Sequence, residues 1–104
     1  MIIILGSVNV RDGKLSKALE ISQAHVDRSR LEPGCIEHGV HLDSENKNKL
    51  VFVERWESMD LLRAHFAVPE SSAFAKAMAA LSIEPPSIAL YSAEILAFPG
   101  KSAA

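Results

Sequence analysis

Few residues in this 104-residue chain have chemical potential: four histidines, one cysteine, one tryptophan and 13 acidic side chains. His38 and His41 form an H-x-x-H that resembles a metal-ligating pair. On a strand, three positions put the two rings on opposite faces, so they cannot chelate one ion, and neither a metal site nor a metal cofactor is expected. His65 shares a helical face with Leu62 and Phe66, which turns its imidazole inward. There it is either a hydrogen-bonded structural residue or, beside a cavity, the best-placed base near neutral pH. His38 falls among Ile36, Val40 and Leu42, on the apolar face of its strand, and would share that cavity. Trp56 has the strand parity of Phe52 and Glu54; its indole is core packing or a flat wall on which an aromatic ligand stacks. Asn9 and Ser7 lie near the end of the first strand, where an amide or hydroxyl meets a ligand oxygen or serves a hairpin or cap. Cys35, after Pro33-Gly34, reads as a small buried hydrophobe rather than a nucleophile. His25 borders the buried stripe of the first helix, and neither it nor His41 is given a role.

Composition narrows the classes further. Hydrophobic residues are 48% and charged residues 23%, as in an ordinary globular domain. A net charge of −2 and a pI near 6.0 leave no basic footprint for nucleic acid or an anionic membrane. The longest apolar run, Met1 to Leu5, is far short of a membrane span of about 20 residues and does not read as a signal peptide. One cysteine makes no internal disulfide, so a reducing cytoplasm is expected. Gly6 and Gly13 fit neither a phosphate loop nor a dinucleotide fingerprint, and there is no G-x-S-x-G elbow.

These side chains must be positioned by elements whose periods are legible. MIIILGSVNV, rich in β-branched residues, predicts a strand over residues 1–10 that Arg11-Asp12-Gly13 breaks. Leu15, Ala18, Leu19, Ser22 and Val26 then fall on one helical stripe, which Glu32-Pro33-Gly34 stops. Residues 35–42 alternate as a strand with Ile36, His38, Val40 and Leu42 on one side. A polar loop over 43–49 leads to a strand over 50–57, and Ser58 predicts an N-cap. Pro69 interrupts the helix that follows; Phe74, Ala77, Met78 and Leu81 continue helical periodicity. Residues 87–96 predict the last strand and 98–104 a tail, so that one domain of 1–104 has its core over about 1–97. The order β-α-β-β-α-β is that of an α+β, ferredoxin-like split unit, an antiparallel sheet with its helices on one face. Strands one, three and four carry apolar groups on both faces, as in Ile3/Leu5 against Ile2/Ile4 and Val51/Val53 against Leu50/Phe52. The uncovered face predicts a homodimer whose sheets pack together.

Glu32-Pro33-Gly34-Cys35-Ile36, then Glu54-Arg55-Trp56-Glu57-Ser58, Leu62 and Ala64-His65-Phe66, resemble the antibiotic biosynthesis monooxygenase (ABM) domain family. The motif region runs from Glu32 to about Phe74, and the element order extends the likeness over almost the whole chain. The resemblance implies a dimeric α+β barrel with a pocket between sheet and helices. It implies oxidation of a quinol or related aromatic by molecular oxygen, with no flavin, haem or metal cofactor. Trp56 and His65 match pocket positions of the family, as wall and as base or hydrogen-bond partner; His38, Phe52, Phe66 and Asn9 complete the expected substrate contacts. Two departures stand out. His38 occupies a position that is often tyrosine, and an ungapped reading places Glu70 and Ser71 where the family commonly has a second histidine and an aromatic. Glu70 is then a substitute base, or the pocket is remodelled in a ligand-binding dimer without catalysis. The same fold resembles haem-degrading relatives, a lower-ranked alternative.

Overall fold

The computed structural model describes residues 1–100. The elements are β1 (Ile2–Asn9), α1 (Leu15–Ser29), β2 (Cys35–Leu42), β3 (Lys49–Trp56), α2 (Met59–Ala67), α3 (Pro69–Leu81) and β4 (Ser87–Ser92). All strand pairs are antiparallel in the order β2-β3-β1-β4, the ferredoxin-like arrangement. Residues 101–104 of the expected tail lie outside the described residues. No helix among the described residues is long and apolar enough to cross a membrane.

Local chemistry sets the boundaries. Ser58 accepts a hydrogen bond from the Leu61 amide at 3.2 Å, capping α2, with Asp60 in the first turn. Pro69 has no amide hydrogen to continue that helix and instead occupies the start of α3, where none is needed. Gly34 turns the chain into β2 at φ 84°, and a Cβ there would lie 2.5 Å from Leu61, so backbone conformation and space both require glycine.

Alternation along β3 is regular: Leu50, Phe52, Glu54 and Trp56 are buried on the inner face, with partly exposed residues between them. The helices cover this face from the β2–β3 side; edge strand β4 leaves Ile88 and Leu90 exposed. On the outer face, register aligns Leu5 with Val53 and Ala89, and Ile3 with Arg55 and Tyr91. Leu5 and Tyr91 are about half exposed, at 45% and 51%.

Two expectations are corrected. Ile36 does not join His38 on the inner face: a bulge between Cys35 and Glu37 exposes Ile36 and turns Cys35 toward Ile4, Trp56 and Leu62. The last strand ends at Ser92 rather than Leu96. Its partner β1 starts at Ile2, and beyond a final bond from the Ala93 amide to the Met1 carbonyl the residues have no ladder to join.

Candidate functional site

Three elements bring three histidines together. His25 comes from α1, His38 from β2 and His65 from α2, all buried, and one ring nitrogen of each lies within 4.8 Å of the other two. The ring centroids form a triangle of 5.2, 5.4 and 5.7 Å. Small residues make room for it: Ala18, Ser22 and Ser29 are buried on the face of α1 that carries His25. Phe74 of α3 stacks on His25 at 3.9 Å with the rings nearly parallel, and Trp56 lies 4.5 Å from His65.

Hydrogen-bond chemistry assigns the protons. Arg28 Nη2 lies 2.7 Å from His25 Nδ1. A guanidinium only donates, so Nδ1 accepts and the ring hydrogen of His25 sits on Nε2. His65 Nδ1 lies 2.8 Å from Glu32 Oε1; a carboxylate only accepts, so Nδ1 donates. His38 Nε2 lies 3.1 Å from Glu54 Oε1, close enough to pair with it, and His38 Nδ1 is buried without a hydrogen-bond partner. Glu54 accepts from Trp56 Nε1 at 3.0 Å. Arg28 Nε and Glu32 Oε2, 3.9 Å apart, are likewise buried without a hydrogen-bond partner.

The electrostatics follow from burial. Loss of water, with repulsion from His38, Arg28 and His65, pulls His25 down to about 3, so its ring is neutral at pH 7. Burial alone would push Glu54 up, but contact with His38 and the Trp56 hydrogen bond together outweigh it and hold the carboxyl below its ordinary value. Burial raises the Cys35 thiol, and the Glu54 and Glu32 carboxylates add to this.

Beside this cluster lies a cavity of about 130 Å³ between β1, β4 and the helices. Phe52, Phe66, Phe74, Ile4 and Met78 supply most of its wall, Pro86 to Ile88 its outer side, and His25 and Glu54 are the titratable residues that line it. Of the residues given a possible site role from the sequence, Ser7, Phe52 and Phe66 line the cavity. His38, His65 and Trp56 are brought together directly behind it, fully or nearly buried. Asn9 is elsewhere, donating to Glu84 at 2.7 Å, and Glu70 is exposed in the first turn of α3. The neighbouring Ser71 is buried, its hydroxyl 3.5 Å from Arg28. His25 and Glu54 were given no role from sequence, although a carboxylate on the otherwise apolar stripe Leu50-Phe52-Glu54-Trp56 was a visible signal.

A family model described as antibiotic biosynthesis monooxygenase matches residues 1–77. The chain belongs to that family. An uncharacterized protein of a Synechocystis strain is 30% identical over 90 residues, covering 86% of this chain and 61% of its own length. The chain thus spans about three-fifths of that relative. Among solved structures, an antibiotic biosynthesis monooxygenase superposes with a TM-score of 0.84 at 19% identity, covering 90% of this chain and 99% of the other. A conserved protein from Methanosarcina mazei gives 0.85 at 19% identity, covering 89% and 92%. At such identities these ABM-like structures speak for the fold alone. The family match itself points to a monooxygenase-like or small-molecule-binding protein.

Proposed function

We propose that this ABM protein is a monooxygenase for a quinol or related electron-rich aromatic, using molecular oxygen and no resident cofactor in the reaction. The observation that carries this reading is the phenylalanine-walled cavity whose titratable residues are one carboxylate and one neutral imidazole. At about 130 Å³ it is close to the roughly 150 Å³ of an engineered apolar cavity that accepts benzene, so it suits one aromatic ring. It gives no support to a porphyrin, which needs several times that volume.

In this reading a ring hydroxyl donates to the Glu54 carboxylate, which Trp56 holds in place. The His25 Nε2–H, fixed as a donor by Arg28, meets the oxygen as negative charge develops on it. The proton moves inward from Glu54 to His38, 3.1 Å away, with His65 beyond it and Glu32 steadying His65. Ionised, the quinol is a far better one-electron donor to oxygen. Sheltering by the apolar wall keeps the resulting radical pair together. The sum balances: quinol plus O₂ gives a hydroxyquinone and water, one oxygen atom entering the ring and the other leaving reduced. Trp56 is a rear wall behind Glu54 in this scheme, and His65 a proton acceptor at one remove from the substrate.

The half-exposed Leu5 and Tyr91 on the outer sheet face, with Val51, Val53 and Ala89 beside them, support a homodimer through that face. The test is oxygen consumption by purified protein with single-ring and two-ring quinols, corrected for autoxidation. Saturable uptake abolished by Glu54→Gln is expected. Tight binding of a quinol without uptake would replace the oxygenase reading with that of a ligand-binding dimer.

A further inference from the structure

The three histidines do more than the oxidation requires, and their surroundings are unfinished. His38 Nδ1 is buried without a hydrogen-bond partner while its Nε2 faces Glu54 at 3.1 Å, and Arg28 Nε and Glu32 Oε2 face each other at 3.9 Å, too far for a hydrogen bond. Buried polar atoms are nearly always paired, so this cluster has the capacity to take a further partner. Two carboxylates adjoin the rings, Glu54 at 3.1 Å from His38 and Glu32 at 2.8 Å from His65, as carboxylates do behind metal-binding imidazoles. The three imidazoles, with one nitrogen of each within 4.8 Å of the other two, are ligands of the kind that first-row transition metals prefer.

We propose that His25, His38 and His65 form a binding site for a divalent transition-metal ion of the zinc, cobalt or nickel type. Metal–nitrogen distances of about 2.0–2.1 Å require nitrogens about 3.3 Å apart in a tetrahedral site, so the rings must draw together by about 1.5 Å at the widest edge. Rotation of the side chains supplies this. The rearrangement also closes the Arg28–Glu32 pair. His25 gives its Nε2 to the metal and takes the hydrogen on Nδ1, while Arg28 turns from that atom to Glu32 Oε2, which its Nε faces at 3.9 Å. Glu32 already orients His65 through Nδ1, the carboxylate–histidine–metal arrangement that fixes the ligating nitrogen. Glu54 Oε1, beside His38, stands nearest to a fourth position.

Occupancy would use the lone pairs to which the quinol proton moves, so metal is an inhibitor of the oxidation rather than its cofactor. This consequence alone rests on the function proposed above; the site does not.

The experiment titrates the metal-stripped full chain with Co²⁺ and reads the visible ligand-field bands, with Zn²⁺ as competitor and equilibrium dialysis for stoichiometry. One ion per chain is expected, with intense bands of low coordination number that Zn²⁺ abolishes. Glu32→Gln should weaken binding by about 10-fold or more, and His38→Ala more strongly. His41→Ala, on the other face of β2, should bind as the parent does. His25→Phe preserves the stack on Phe74 and removes one ligand, so it decides the matter if His38→Ala fails to fold by circular dichroism. Absence of uptake, or uptake unchanged in His25→Phe and His38→Ala, would overturn the site. Metal uptake with undiminished oxygen consumption would retain the site and discard the inhibition.

Discussion

Along β3, two residues separate very different surroundings. Leu50 and Phe52 pack with Val8, Val10, Ala18 and Met78 into an apolar block. Glu54 begins a band in which carboxylate, imidazole and indole are equally buried but bonded to one another, or left unbonded. A smaller apolar cluster of Ile4, Trp56 and Leu62 closes the far side. Both regions are buried, so burial does not distinguish the site from the core. What distinguishes it is chemistry: the block is held by apolar contacts alone, whereas the band buries carboxylate, guanidinium and imidazole groups against one another. Stability should therefore reside mainly in the block and chemistry in the band, and substitutions can separate them.

Leu50→Ala should have the largest effect. Its side chain is fully buried, and the cavity left behind costs about 2–5 kcal/mol. Urea denaturation measures this, while oxygen uptake per folded molecule should remain near that of the parent. A variant that keeps its stability but loses turnover would erase the contrast between the regions. Glu54→Gln tests the other side: turnover should fall by about 100-fold or more, with a smaller loss of stability, since the amide still accepts from Trp56. Steady-state oxygen uptake beside a melting curve separates the two effects.

Acid should also act through the band. His25 titrates near 3 in the folded chain but at its ordinary 6.5 when unfolded. Below pH 6.5 the unfolded chain therefore binds a proton that the folded chain refuses, and stability falls as pH drops toward 3. The slope is at most about 1.4 kcal/mol per pH unit. Glu54, held low in the fold, adds loss of the same sign below the ordinary carboxylate range. Denaturation of metal-free protein between pH 7.5 and 5 should show the decline, and His25→Phe should flatten it. A decline of equal slope in His25→Phe would assign it elsewhere. The smallest effect is expected outside both regions: Ser58→Ala removes the cap of α2 and should cost about 1 kcal/mol in a thermal melt without altering turnover per folded molecule.

Much of the fold was legible because period and punctuation agreed. Ser58, Pro69 and Gly34 mark ends through backbone chemistry that does not depend on tertiary context. The bulge that exchanges Cys35 for Ile36 was not legible, since an extra residue leaves the apolar pattern of a short strand unchanged. The end of β4 was not legible either, because Ile95 and Leu96 have strand propensity while pairing depends on where β1 starts. At the site, the inward turn of His38 and His65 followed from parity and helical spacing. His25 was obscured by Val26, its neighbour on the same buried flank of α1. That His25 meets His38 depends on how α1 crosses β2, a tertiary relation that no local spacing records.

Trp56 is the sole tryptophan of the chain, wholly buried, with its indole N–H on Glu54 and its ring 4.5 Å from His65. Nearly all of the ultraviolet emission of this protein therefore originates at the back wall of the histidine band. Whatever protonates, ligates or displaces that band should register as a change in the brightness or colour of one fluorophore, and the molecule carries its own optical gauge of the site.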